Sequence, residues 1–200
     1  MRIVGLGDST TAGTPGFLSP IEAPADGMGD PESQYAHWMM KEHPQWSVLN
    51  RGINGQRSDE ILARFQSDVL SMAPDYVIIL AGVNDVYQDL SLESIEENLL
   101  TMYKLAIKNK IVPVAATVLP YNTASISESR IILELNRWIE DVSTRLGILF
   151  CDTNGAVADP KNRNRLRSSP DELHPDAAGY RRMGEALAKT ILAHQDATQN

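Results

Sequence analysis

Short apolar runs, each closed by glycine or a cluster of polar residues, alternate along the chain with longer segments of helical period. The first run, Arg2-Ile3-Val4, feeds Gly5-Leu6-Gly7-Asp8-Ser9 and predicts a buried strand that turns sharply out of a sheet at the serine. Trp46 to Asn50 reads as a second strand. Pro74-Asp75 opens a third, Tyr76-Val77-Ile78-Ile79-Leu80, whose unbroken apolar character suits a parallel strand covered on both faces. Ile111 to Val118 and Gly147 to Asp152 supply the fourth and fifth.

Helical segments fall between these runs. One is predicted over Gln34–His43. A second opens at Ser58 as N-cap, with Asp59 and Glu60 in the first turn, where the helix dipole favours acids. A third spans about Ser91 to Asn109. Ser125-Ile126-Ser127-Glu128 is a capping box for a fourth, running to about Leu146. Pro175 suits the first position of a last helix reaching about Ala193, and the Gln195–Asn200 tail is expected to fray.

Strands and helices that alternate in this way, through short connections, imply an α/β fold. The expectation is a doubly wound, five-stranded parallel sheet with helices on both faces, a three-layer α/β/α sandwich. No repeat or linker divides the chain, so residues 1–200 are expected to form a single domain. Two stretches stand outside the pattern. Thr14–Ser33, with four prolines and three glycines, leaves the Ser9 strand end and is expected to wall the site. Thr153–Pro170 reads as loop.

Composition narrows the classes of function. The net charge is −8 with both signs interspersed, which argues against a nucleic-acid partner. The one basic cluster, Lys161–Arg167, reads as a solvated loop. A lone cysteine, Cys151, allows no internal disulfide and sits in an apolar strand, where a free thiol is a small buried hydrophobe. No segment approaches a membrane span, and Met1-Arg2 leads straight into the first strand, so a cytoplasmic protein without a leader is expected. His37, His43 and His194 form no His-x-x-x-His, and no cysteine pair or carboxylate cluster stands at ligand spacing, so no metal site is expected.

The chemistry gathers at three strand ends and one late loop. Ser9 is placed where a nucleophile is useful, just beyond the carboxyl end of a strand. In Asp171-Glu172-Leu173-His174-Pro175 an acid and a histidine stand three positions apart. A turn brings such a pair together, leaving one ring nitrogen for the carboxylate and one for the serine proton. A tetrahedral intermediate needs donors for its oxyanion, and the N–H of Ser9, the N–H of Gly55 and the side-chain amide of Asn84 are the candidates. Asp85 is assigned to holding its own loop.

Gly7-Asp8-Ser9, Asn50-Arg51-Gly52-Ile53-Asn54-Gly55, Gly82-Val83-Asn84-Asp85 and Asp171-Glu172-Leu173-His174-Pro175 together resemble the four sequence blocks of the SGNH (GDSL-type) hydrolases, in the same order. The resemblance implies a flavodoxin-like sandwich acting as an esterase or lipase on a small-molecule ester, without metal or organic cofactor. It implies Ser9 as nucleophile, His174 as base, Asp171 as orienting acid, and Ser9, Gly55 and Asn84 as the oxyanion hole. Thr10 departs from the leucine of the pattern. The expected substrates are short acyl or acetyl esters, with acetylated carbohydrate, lysophospholipid or thioester as alternatives. Tyr87 and Tyr121 are candidates to line the site.

Two other classes compete. Gly5-Leu6-Gly7-Asp8-Ser9-Thr10 begins like a dinucleotide fingerprint but has threonine at its sixth position, and no Gly-Lys-Ser/Thr follows. A catalytically silent interaction domain on the same fold would have no use for an intact Ser9, Asn84, Asp171 and His174. An α/β-hydrolase elbow is excluded, because Thr10-Thr11 replaces the required x-Gly after the serine.

Overall fold

The computed structural model describes residues 1–199, with side chains as far as Thr198. Five parallel strands form the central sheet: β1 (Arg2–Gly7), β2 (Ser47–Gly52), β3 (Tyr76–Leu80), β4 (Val112–Ala116) and β5 (Leu149–Cys151). Their spatial order is β2-β1-β3-β4-β5. The chain thus reverses its direction of winding at β1, and the cleft between the ends of β1 and β3 is the switch point where doubly wound folds bind ligands. Register brings Gly7 opposite both Gly52 and Leu80, so the strand ends that lead to Ser9, Gly55 and Asn84 are neighbours.

The side-chain alternation of a strand builds two cores, one on each face. Val77 and Ile79 of β3, with Val4 and Leu6 of β1, pack against α2 (Ser58–Ala63), α3 (Leu92–Lys108) and α4 (Ile126–Leu146), which contribute Ile61, Leu99 and Leu135 among others. Tyr76, Ile78 and Leu80 point the other way, onto α1 (Tyr35–Glu42) and α5 (Ala177–Gln199), meeting Tyr35, Met39, Tyr180 and Leu187. Gly5 belongs to this second face. A Cβ there would lie 2.5 Å from the Tyr35 hydroxyl, so the glycine is what admits the ring. The α/β/α sandwich read from the sequence is the observed architecture.

The differences lie at ends and in loops. β1 runs on to Gly7 and β2 to Gly52, because their backbones stay paired after the apolar run has ended. Ser58 is the first residue of α2 rather than its cap. The Arg57 N–H is instead satisfied by the Glu60 carboxylate at 2.9 Å. Pro175 precedes α5 by two residues, and α5 runs through the stretch expected to fray, as far as Gln199, while Asn200 lies outside the described residues. Thr153–Pro170 is not plain loop: it holds a helical turn, Thr153–Val157, and a hairpin pairing Ala158–Asp159 with Asn162–Leu166. Thr14–Ser33 contains its own two-residue pairing, Phe17–Leu18 with Met28–Gly29. Pairings this short carry no periodicity for a sequence to display. No helix among the described residues is long and apolar enough to cross a membrane.

Candidate active site

Asp8 follows β1, and its carboxylate accepts from the Thr10 N–H at 2.9 Å, capping the single helical turn Ser9–Ala12. The cap fixes Ser9 at the head of that turn. Close packing requires small neighbours on either side. A Cβ on Gly7 would lie 2.4 Å from the Leu80 carbonyl, and one on Gly52 would lie 2.0 Å from the Ala12 nitrogen. Asp8 is 1% exposed, and burial pushes its carboxyl up to about 7, against the pull of the Thr10 N–H and with some help from the Asp85 charge.

The Asp171–His174 segment closes over Ser9. His174 Nε2 stands 2.8 Å from Ser9 Oγ, and His174 Nδ1 stands 2.7 Å from Asp171 Oδ2. Asp171 Oδ1 accepts from the backbone N–H groups of His174 at 2.8 Å and Leu173 at 3.0 Å. Burial works to raise the Asp171 carboxyl, but the hydrogen bonds from His174 and Leu173 outweigh it and hold it below the ordinary range. The loop's turn is made at Glu172, whose φ is +66° and whose carbonyl accepts from the Asn122 N–H at 2.7 Å. Asn122 Oδ1 in turn accepts from Leu166 N–H at 2.8 Å, so the late hairpin braces the histidine loop.

Asn84 is the second residue of the helical turn Val83–Tyr87 that follows β3. Its amide donates to the Gln56 carbonyl at 2.9 Å, which uses one of its two protons. Gly55 lies between, at φ +74°, with no atom within 4 Å of the position a Cβ would take. Backbone conformation, not crowding within the protein, is what calls for glycine there. Among the described residues neither the Ser9 nor the Gly55 N–H donates to another protein group. Asp85 holds its loop as expected: its carboxylate accepts from the Ser58 N–H at 2.9 Å and the Ser58 hydroxyl at 2.5 Å.

Ser9, His174, Gly55 and Asn84 all face one cavity of about 300 Å³. Val83, Leu119, Pro120, Tyr121 and Leu173 give it an apolar wall, with Thr14 and Asn54 as its polar rim. Both tyrosines named from the sequence are present. Tyr87 meets Tyr121 edge to face at 6.3 Å, and Tyr121 is pinned by its hydroxyl donating to Glu128 at 2.6 Å. The Thr14–Ser33 stretch is a wall only at Thr14. Its remainder lies against the Gly52–Gly55 turn from outside, Ser19 Oγ donating to the Gly52 carbonyl at 2.6 Å and Glu22 accepting from the Asn54 N–H at 2.9 Å. Leu119 and Pro120, beyond the end of β4, were not singled out in sequence; their position after the fourth strand was the available signal.

The other reactive side chains lie elsewhere. Cys151 is 3% exposed, and burial pushes its thiol up to about 11. His43 stacks on Trp46, and His194 shares a hydrogen bond with the Tyr76 hydroxyl. Among the described residues no three His, Cys, Asp or Glu side chains are grouped as ligands of an ion.

Comparison with known proteins identifies a family and relatives of similar fold. The family model described as GDSL-like lipase/acylhydrolase matches residues 6–182. An acetylxylan esterase of Geobacillus stearothermophilus is 25% identical over 156 residues, 72% of this chain and 71% of that protein. A Bacillus subtilis (strain 168) protein named uncharacterized lipoprotein YqeF is 29% identical over 113 residues, 46% of each. Among solved structures, a Desulfitobacterium hafniense DCB-2 protein ascribed to the G-D-S-L lipolytic family superimposes with a TM-score of 0.79 at 26% identity, covering 94% of this chain and 98% of that one.

Proposed function

The chain belongs to the GDSL-like lipase/acylhydrolase family and is an ester hydrolase; from that premise we propose that it works through an acyl-enzyme on Ser9. The observation that carries the proposal is the unbroken chain of hydrogen bonds from Ser9 Oγ through His174 to Asp171. Ser9 Oγ attacks the ester carbonyl while His174 Nε2 takes the hydroxyl proton. Asp171 stays ionised, fixes the ring so that Nδ1 carries its hydrogen, and stabilises the imidazolium. The carbonyl oxygen, now an anion, accepts from the Ser9 N–H, the Gly55 N–H and the second amide proton of Asn84. Collapse breaks the bond to the alcohol oxygen, which leaves with the proton held on His174. Water then attacks the acyl-enzyme with His174 as base, and the acid and free Ser9 are regenerated. No step requires a metal or a cofactor.

Acetyl or other short acyl esters are the proposed substrates. The acetylxylan esterase among the relatives supports an acetylated carbohydrate. A second reading, esters of apolar acyl groups longer than acetyl, is favoured by the apolar wall of a 300 Å³ cavity. A cytoplasmic location is part of the proposal, and the single buried thiol fits the reducing compartment it requires.

The test is hydrolysis of p-nitrophenyl esters from acetate to decanoate, with chelator present, by the wild type and Ser9→Ala. Rates that fall roughly 10⁴-fold or more in a folded variant are expected. Hydrolysis by Ser9→Ala at the wild-type rate would remove Ser9 as nucleophile. The chain-length profile separates the two substrate readings.

A further inference from the structure

One charged side chain outside the reacting groups ties the site together from below. Arg64 follows α2, and its side chain is 11% exposed. Its guanidinium donates to four acceptors spread along the chain from Gly7 to Asp68. Nε reaches the Gln56 side-chain oxygen at 2.6 Å, Nη2 the Gly7 carbonyl at 2.6 Å, and Nη1 both the Arg51 carbonyl at 2.8 Å and the Asp68 carboxylate at 2.7 Å. Three of these acceptors adjoin the proposed oxyanion donors. Gly7 ends the strand two residues before Ser9. Arg51 lies on the strand that ends at Gly52 and leads to Gly55. Gln56 follows Gly55 directly, and its backbone carbonyl receives the Asn84 amide. The Gly7 carbonyl also accepts from the Ile53 N–H at 3.2 Å, so the two turns meet at the point where Arg64 binds.

We propose that Arg64, acting through Gln56, is a positioning residue that holds the Ser9, Gly55 and Asn84 donors at the spacing an oxyanion needs. The inference rests on the acyl-enzyme reading above. A guanidinium suits the task because its planar fork serves several fixed acceptors at once, where an ammonium serves as a point charge. Gly55 itself has no neighbour within 4 Å of its would-be Cβ, so its turn is not held by packing at that point. The hydrogen bond from Arg64 to Gln56 takes the place of that packing. A donor displaced by a fraction of an ångström still allows substrate to bind but serves the transition state less well. Loss of the anchor is therefore expected in kcat, with KM little changed.

The experiment is a double-mutant cycle on p-nitrophenyl acetate, with Gln56→Ala, Gln56→Glu, Arg64→Ala and the Gln56→Ala/Arg64→Ala pair. Each variant is also titrated with a boronic acid, whose tetrahedral adduct on Ser9 occupies the oxyanion position. Gln56→Ala is expected to lower kcat about tenfold with KM within about threefold, and to weaken the boronate by a similar factor. Gln56→Glu, which keeps an oxygen for Arg64 Nε, should recover to within about threefold of wild type. The double variant should be no slower than Arg64→Ala alone, since both changes break one connection. The proposal is overturned if Gln56→Ala lowers only the melting temperature and leaves kcat and boronate affinity intact. Losses that simply multiply in the double variant overturn it as well. A wild type that neither turns over ester nor binds boronate would instead sink the acyl-enzyme reading, and the Arg64 role with it.

Discussion

Asp8 is the titratable group whose burial costs the fold most visibly, and removing its charge should stabilise the protein in a pH-dependent way. The carboxyl is 1% exposed and pushed from 3.8 up to about 7, chiefly by burial. Because its folded pKa lies above its unfolded value, the native state binds the extra proton between about pH 4 and 7. Asp8 therefore contributes most favourably below pH 4, and that contribution is lost as pH rises through 7. The gap is worth roughly 4 kcal/mol at about 1.36 kcal/mol per pH unit. Asp8→Asn keeps an oxygen to accept from Thr10 N–H but cannot ionise. At pH 8 the variant should be more stable by up to about 4 kcal/mol, which for a chain of this size raises the melting temperature by on the order of 10 °C. At pH 4 the two proteins should be within about 1 kcal/mol of each other. Guanidinium unfolding of both proteins at unit steps from pH 4 to 8 measures the gap directly. A gap that stays constant with pH, or a variant less stable than wild type at pH 8, would refute the claim that the Thr10 N–H and the Arg64 charge fail to offset the burial of this carboxylate.

Asp171→Asn should fold normally yet lose roughly 10³–10⁴ in kcat, because an amide neither fixes the His174 tautomer nor supports the imidazolium; a loss under tenfold on p-nitrophenyl acetate would deny Asp171 the orienting role. Gly52→Ala should fail to yield folded protein, since its Cβ would lie 2.0 Å from the Ala12 nitrogen. Gly55→Ala should fold with a penalty of about 1–2 kcal/mol, the cost of its +74° φ in open space, as read by thermal unfolding of the purified variants. Cys151, buried and with its thiol pushed up to about 11, should be silent to a disulfide reagent at neutral pH in the native protein and react once guanidinium is added. Rapid native labelling would contradict its burial.

What the sequence displayed and what it hid divide along a physical line. The run Tyr76–Leu80 coincides with β3 residue for residue, because burial on both faces leaves no position for a polar side chain. The box at Ser125 and Glu128 is made as expected: Ser125 Oγ accepts from the Glu128 N–H at 3.2 Å and Glu128 accepts from the Ser125 N–H at 2.7 Å. Both features are local. Ser58 shows how a local rule can be overridden. It reads as a helix cap, but a buried carboxylate 27 residues away, Asp85, takes both its N–H and its hydroxyl, and α2 begins one residue early.

The same line runs through the site. The proposed reacting groups, Ser9, Asp171 and His174, are conspicuous because the proton transfer proposed for them restricts those positions to a few side-chain types, and such types in order along a chain are rare by chance. Arg64 is inconspicuous for the opposite reason. Two of its acceptors are backbone carbonyls, one of them 57 residues away, and every residue carries a carbonyl whatever its side chain. The Thr14–Ser33 stretch is hidden in the same manner, since Ser19 acts on the carbonyl of Gly52 and Glu22 on the N–H of Asn54. Reacting groups announce themselves by chemistry; the groups that aim them bind to backbone and leave no pattern until the fold has brought the partners together. For this protein, the place to look for substitutions that lower turnover without touching substrate is therefore the set of side chains that bind the backbone of the Arg51–Gln56 segment from outside the four sequence blocks, Ser19, Glu22 and Arg64 among them.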